Sequence, residues 1–214
     1  MHSIKGQVSA LALAILFVLL AFLVSLHVGL VGSLDRVGFA LGHHFQTAAN
    51  TQLFTALSGL ASPAVASLLA LCLVGIVATK DRWRADWAGL LYFGGAALGL
   101  LFKLIIHRPR PSHPLLADSG ASFPSGHVLC ALLFCGLVCR LAWDLLEDNE
   151  QRLLLVLAAS GWVILVICDR VYLRDHYLTD TLASVLLGGS WLAALTQLWP
   201  EHPGRPLFRK EVIK

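Results

Sequence analysis

Charge is the first thing this sequence has little of. Only 14% of its 214 residues are Asp, Glu, Lys or Arg, where a soluble domain carries about a quarter. Hydrophobic residues make up 57% of the chain, and the mean hydropathy is +0.74. Such a chain buries its apolar surface in lipid and reads as a polytopic membrane protein. The net charge of +3 is too small to imply a nucleic-acid partner. A disulfide framework is missing as well. Cys72, Cys130, Cys135, Cys139 and Cys168 all lie inside apolar runs, without the paired loop spacing that bridges need. Cys135 and Cys139 stand one helical turn apart and can be taken for a metal pair, but they read better as small residues packing within a membrane helix. Internal repeats and low-complexity tracts are also absent. The chain is therefore expected to be one helical domain, 1–214, with no separate soluble module.

Apolar runs fill the space. Six of them, at roughly 8–32, 60–79, 87–106, 127–143, 153–168 and 177–199, approach the length of about 20 helical residues that a bilayer requires. The first follows a short start bearing Lys5 and resembles a signal peptide. It is longer than a signal core, and Gly29 to Ser33 makes a poor cleavage site, so it is expected to remain as a span. Between the first two runs, residues 33–59 mix Asp35, Arg36, His43, His44 and Asn50 with Phe39, Leu41, Phe45, Leu53 and Phe54. This segment predicts an amphipathic helix at the interface. The expected fold class is an all-α bundle of about six transmembrane helices.

Basic residues orient such a bundle. Lys5, Lys80, Arg82, Arg84, Arg140, Arg152, Arg205, Arg209, Lys210 and Lys214 fall on the side of the termini, and Arg36, Lys103, Arg108, Arg110, Arg170 and Arg174 on the other. The larger group predicts cytoplasmic termini, and Trp83, Trp87, Trp143 and Trp199 then lie near the cytoplasmic boundary. Five of the six minority cations cluster in two short segments. Charge kept close to a membrane against the topology rule is usually functional.

Three segments on that minority face carry chemistry. The first, Lys103 to Pro111, delivers an ammonium and two guanidiniums, Arg108 and Arg110, where Pro109 and Pro111 must end a helix. Arg suits bidentate contact with phosphate oxygens, and Lys adds a point charge. Alone, the segment reads equally as snorkelling residues at a helix end. The second, Ser122-Phe-Pro-Ser125-Gly126-His127, opens a helix with free N–H groups suited to an anion. Alone, it is a plain N-cap with an incidental histidine. The third runs from Asp169 to Asp180. His176 and Asp180 share a helical face, so the carboxylate can fix one imidazole nitrogen and aim the other as a nucleophile. Alone, it is a satisfied interfacial histidine. Together, 103–127 and 169–180 supply anion clamps, a helix nest, two histidines and an orienting Asp, which is equipment for phosphoryl transfer. Nothing resembles a Walker loop, and no spacing suggests two metals. Neither a metal nor a cofactor is expected.

These residues resemble the signature of the type 2 phosphatidic acid phosphatase family: Lys-x6-Arg-Pro, then Pro-Ser-Gly-His, then Ser-Arg-x5-His-x3-Asp. Here the blocks are Lys103 to Pro111, Pro124 to His127, and Arg170, His176 and Asp180. The resemblance implies that His176 becomes phosphohistidine, that Asp180 orients it, and that His127 protonates the leaving group. It implies that Lys103, Arg110, Ser125, Gly126 and Arg170 bind phosphoryl oxygens, and Arg108 and Asp169 are expected behind them. The family serine is replaced by Asp169; either it pairs with an arginine (Arg170, Arg108 or Arg174) off the phosphate, or it reduces phosphate affinity. The implied substrate is a lipid phosphate, such as undecaprenyl diphosphate or phosphatidylglycerol phosphate in a bacterial inner membrane. Membrane lipids are the other partner expected, and the sequence does not identify a protein partner. The rival readings are a phosphotransferase that hands the group to a second lipid and a non-catalytic lipid-phosphate binding protein. An intact His176, Asp180 and His127 speaks against the second.

Overall fold

A computed structural model describes residues 4–116, 118–143 and 145–198 of the chain. Those residues form helices α1 (Ile4–Ser25), α2 (Gly29–His44), α3 (Ala48–Leu60), α4 (Pro63–Ala78), α5 (Arg82–Gly89), α6 (Gly95–Ile106), α7 (Gly126–Trp143), α8 (Asn149–Tyr172) and α9 (Leu178–Leu198). A π-helical turn, Leu90–Gly94, joins α5 to α6. Among the described residues there is no strand. Six stretches of the described residues are long and apolar enough to cross a membrane: Gly6–Ser25, Ala48–Ala78, Arg82–Ile106, Gly126–Trp143, Asn149–Tyr172 and Leu178–Leu198.

The helix ends follow from local chemistry. Thr47, Ser62, Asp81 and Asp148 cap α3, α4, α5 and α8 by accepting first-turn N–H groups, and Pro63 opens α4 where a missing N–H costs nothing. His107, in the left-handed region at φ 45°, terminates α6 two residues before Pro109. The π turn leaves the Leu91 carbonyl to accept the indole N–H of Trp191 at 2.9 Å, which ties α9 to the third span.

Two expectations are corrected here. The first apolar run is not one span over 8–32: α1 stops at Ser25, His27 adopts φ 53°, and the chain restarts at Gly29. A histidine and a glycine inside an apolar run end the helix, although hydropathy alone reads straight through them. Residues 33–59 form not one interfacial helix but most of α2 and α3, and α3 leads through Ala61 and Ser62 into α4. Trp199 and the tail residues Arg205, Arg209, Lys210 and Lys214 lie outside the described residues, as does the side chain of Lys5.

The core lies between α1, α4, α6, α7 and α9. Phe17 of α1 meets Phe102 edge-on at 4.6 Å between ring centroids, and stacks on Phe123 at 6.0 Å. α7 packs against α8, α9 and α4. Gly136 permits the approach to α9, because a Cβ there would come within 2.6 Å of Leu192. Leu11, Ile15, Leu104 and Leu154 point outward, as residues facing acyl chains do. The end of α6, the start of α7, the end of α8 and the start of α9 meet at one end of the bundle, and α2 lies across it against α8 and α9.

Candidate active site

All three sequence segments converge at that end. A cavity of about 340 Å³ opens between them, with Lys103, Arg110, His127 and His176 in its wall. Each arrives there for a local reason. Lys103 sits in the last turn of α6 and donates from Nζ to the Ala121 carbonyl at 2.6 Å. Arg110 lies three residues past the helix stop. Its Nε donates to Gly120 O at 3.2 Å, Nη2 to Ser119 O at 3.1 Å, and Nη1 to Asp175 O at 3.0 Å. Gly126 and His127 start α7, so the positive end of that helix faces the cavity. The Ser125 hydroxyl is fully buried and has no hydrogen-bond partner among the described residues.

His176 is 1% exposed, in the turn between α8 and α9. Its Nε2 faces Arg110 Nη1 at 3.5 Å, and its Nδ1 lies 3.6 Å from Asp180 Oδ2. The latter distance is long for a hydrogen bond, as resting catalytic pairs often are. Burial pushes the imidazole below its ordinary pKa. Asp180 pulls the other way, and Arg110 and Lys103 reinforce burial. The ring is therefore neutral near pH 7, with a lone pair to offer.

Asp180 is itself held. The Tyr177 N–H donates to Oδ2 at 3.0 Å, and Arg108 Nη1 donates to Oδ1 at 2.6 Å. Arg108 spends its other arm on Asp35, Nη2 to Oδ2 at 2.6 Å, and covers the Tyr177 ring at 3.9 Å. Asp35 in turn accepts from the Thr179 N–H and hydroxyl at 3.0 and 2.9 Å. Arg108 is thus a bracket between two carboxylates and not a phosphate clamp. Sequence reading gave Asp35 and Thr179 no role in this bracket. Asp35 did carry a signal, an acidic side chain among apolar neighbours.

Arg170 has an unexpected environment. It is 1% exposed, with Nε 2.7 Å and Nη2 2.5 Å from Asp169 Oδ2, and Nη1 2.8 Å from Asp175 Oδ2. Nη1 also lies 3.4 Å from His127 Nε2. Asp169 therefore pairs with Arg170, one of the three partners allowed it. Asp175, which sequence reading passed over, is the second counter-charge. Burial pushes its carboxyl up to about 6, against the pull of Arg170. Because Asp175 still secures Arg170, replacing Asp169 by serine should leave kcat/KM within about tenfold, a barrier change near 1.4 kcal/mol. A thousandfold fall would place Asp169 in the catalytic arrangement itself.

Asp118 is the other residue without an assigned role. Its Oδ2 lies 2.9 Å from Arg110 Nη2, and it shares the cavity with His127 and His176. Potential ligand atoms of these three lie within 4.8 Å of one another, close enough for a metal ion. Lys103 and Arg110 line the same space, however, and two cations favour an anion there over a second cation.

The PAP2 superfamily model matches residues 63–203. Phosphatidylglycerophosphatase B of Bacillus subtilis is 32% identical over 138 residues, covering 62% of this chain and 68% of the relative. Decaprenylphosphoryl-5-phosphoribose phosphatase of Mycobacterium tuberculosis is 29% identical over 135 residues, with 57% of this chain and 66% of that protein covered. The crystal structure of a transmembrane PAP2 type phosphatidylglycerolphosphate phosphatase from Bacillus subtilis superposes with a TM-score of 0.77. That likeness spans 87% of this chain and 94% of the other at 23% identity, and concerns the fold.

Proposed function

Since the chain belongs to the PAP2 superfamily and is a multi-pass membrane phosphatase, we propose that it hydrolyses a lipid phosphate or diphosphate through a phosphohistidine. The observation that carries this reading is the position of His176, buried in a cavity with Lys103, Arg110 and His127 and backed by Asp180 at its far nitrogen. His176 Nε2 attacks phosphorus as the bond to the lipid oxygen breaks, and His127 gives that oxygen its proton. Water then attacks phosphorus while His127 takes a proton from it; the phosphorus–nitrogen bond breaks, its electron pair returns to His176 Nε2, and inorganic phosphate leaves. Lys103 and Arg110 take the equatorial oxygens, and Arg170, whose Nη1 lies 3.4 Å from His127 Nε2, adds positive charge beside the phosphoryl group. A phosphoryl oxygen at the start of α7 also meets the unpartnered hydroxyl of Ser125.

A lipid is favoured as substrate because the cavity wall continues from these polar groups onto Ala96, Leu100 and Leu129. The two named relatives are phosphatases of a phospholipid and of a decaprenyl-linked sugar phosphate. Phosphatidylglycerol phosphate and undecaprenyl diphosphate are the substrates we propose, in a bacterial inner membrane. Purified protein in detergent should release inorganic phosphate from one of them at the expense of the other in a competitive lipid panel. Transfer of the phosphoryl group to an added lipid without release of phosphate would replace hydrolysis by the phosphotransferase reading.

The side chains themselves provide the positive charge, so turnover should persist in EDTA and be inhibited by vanadate, which adopts trigonal-bipyramidal geometry. Complete loss with EDTA and recovery with magnesium would convert Asp118, His127 and His176 into metal ligands. We place the site on the periplasmic face with cytoplasmic termini, from the distribution of basic residues. A cysteine replacing the exposed Ser119, in a chain stripped of its own five cysteines, should react with an impermeant reagent added to intact cells. Labelling only after lysis would reverse the orientation.

A further inference from the structure

Five carboxylates surround the site, and four of them are immobilised. Asp35 and Asp180 are bracketed by Arg108, and Asp169 and Asp175 by Arg170, each with its side chain almost wholly buried. Asp118 is also held by an arginine, but it is not buried. Its side chain is 31% exposed and lies in the irregular connection between α6 and α7, two residues before Gly120, which adopts φ 78°. Oδ1 accepts the Ser119 N–H at 2.7 Å, and Oδ2 pairs with Arg110 Nη2 at 2.9 Å. Burial works to raise this carboxyl. The Ser119 N–H and the Arg110 guanidinium outweigh burial and hold it below the usual carboxylate range, so it is an anion at neutral pH.

Its position conflicts with substrate. A phosphoryl group attacked by His176 must lie against Nε2 of that ring, reach His127 with its leaving oxygen and rest another oxygen on Arg110. The Asp118 carboxylate is already in contact with Arg110 and within 4.8 Å of a ring nitrogen of each histidine. Two anions cannot share that space without strong repulsion.

We propose that Asp118 is a displaceable internal anion. It holds the phosphoryl position in the resting enzyme, yields Arg110 to a substrate oxygen on binding, and returns as inorganic phosphate departs. The proposal rests on the phosphatase reading above. Displacement involves no covalent change: Arg110 Nη2 exchanges one oxygen anion for another, while its contacts to the Ser119, Gly120 and Asp175 carbonyls keep the guanidinium in place. The carboxylate opposes every phosphate alike. A lipid phosphate offsets that opposition by burying its chain, whereas free phosphate has only the phosphoryl contacts, so the product does not accumulate in the site.

The test is Asp118→Asn in the full-length enzyme, which removes the charge and keeps an oxygen for the Ser119 N–H. Asp118→Ala is the second variant. The expected result is that the inhibition constants for inorganic phosphate and vanadate and the KM for lipid phosphate all fall by about tenfold. kcat should fall with them, as phosphate release slows. Unchanged or weaker phosphate binding in both variants would mean that Asp118 only positions Arg110, and the proposal fails. A collapse of kcat with KM and inhibition constants unmoved would assign Asp118 to proton chemistry and also overturn it. So would phosphate binding that depends on an added divalent ion and is lost in Asp118→Asn. Should wild-type protein release phosphate from no lipid, calorimetric titration with inorganic phosphate keeps the questions apart. Tighter binding by the variants then sustains the internal anion while the phosphatase reading falls.

Discussion

Replacing His176 by alanine should abolish turnover of every phosphate ester, whatever its leaving group. The ring is the only nucleophile proposed, and Asp180, Arg108 and the Tyr177 N–H converge on the geometry behind it. Removal of such a group costs roughly 10⁴-fold or more in kcat. Good leaving groups give no rescue, because what is missing is the bond to phosphorus and not the proton. Wild-type protein quenched in acid-free conditions during turnover should carry acid-labile phosphate, and His176→Ala should carry none. Near wild-type hydrolysis of an aryl phosphate by the variant would overturn the covalent mechanism.

Replacing His127 by alanine should have a large effect that depends on the substrate. As general acid, His127 matters in proportion to how poorly the leaving oxygen departs unprotonated, so an alkyl lipid phosphate should lose about 10²–10⁴-fold in kcat. An aryl phosphate such as p-nitrophenyl phosphate leaves without a proton and should lose much less in the first step. The same ring activates the hydrolytic water, so the variant should accumulate phosphoenzyme on the aryl substrate. The comparison is informative because His127 is also 3.4 Å from Arg170. Equal losses on both substrates would mean that His127 holds the Arg170 guanidinium or a phosphoryl oxygen and transfers no proton.

Where this chain resists reading from sequence, the causes are specific. The spans were legible because hydropathy integrates over about 20 residues, and small errors cancel in the sum. Their boundaries were not, since a single residue ends a helix: His27 stops α1 early, and Asn149 begins α8 four residues before its apolar run. The site segments were legible because Lys103, Arg110, His127, Arg170, His176 and Asp180 combine charge with helix ends. Asp35 was not, because its meaning depends on Arg108, 73 residues away along the chain.

By itself the sequence determined that the chain is an all-α membrane bundle, and it led to the expectation that Lys103, Arg110, His127 and His176 share one face. Both follow from local properties, hydropathy summed along a segment and the alternation of sides from one span to the next. Only the tertiary structure decided which cation serves which anion. Arg108 and Arg170 turn away to paired carboxylates, Asp35 with Asp180 and Asp169 with Asp175, while Lys103 and Arg110 face the cavity. The physical reason is that a buried charge must find its partner in space. At the crowded end of this bundle the two carboxylates on Arg108 come from α2 and α9, both at 2.6 Å, and the one on Arg110 comes from Asp118 in the connection before α7.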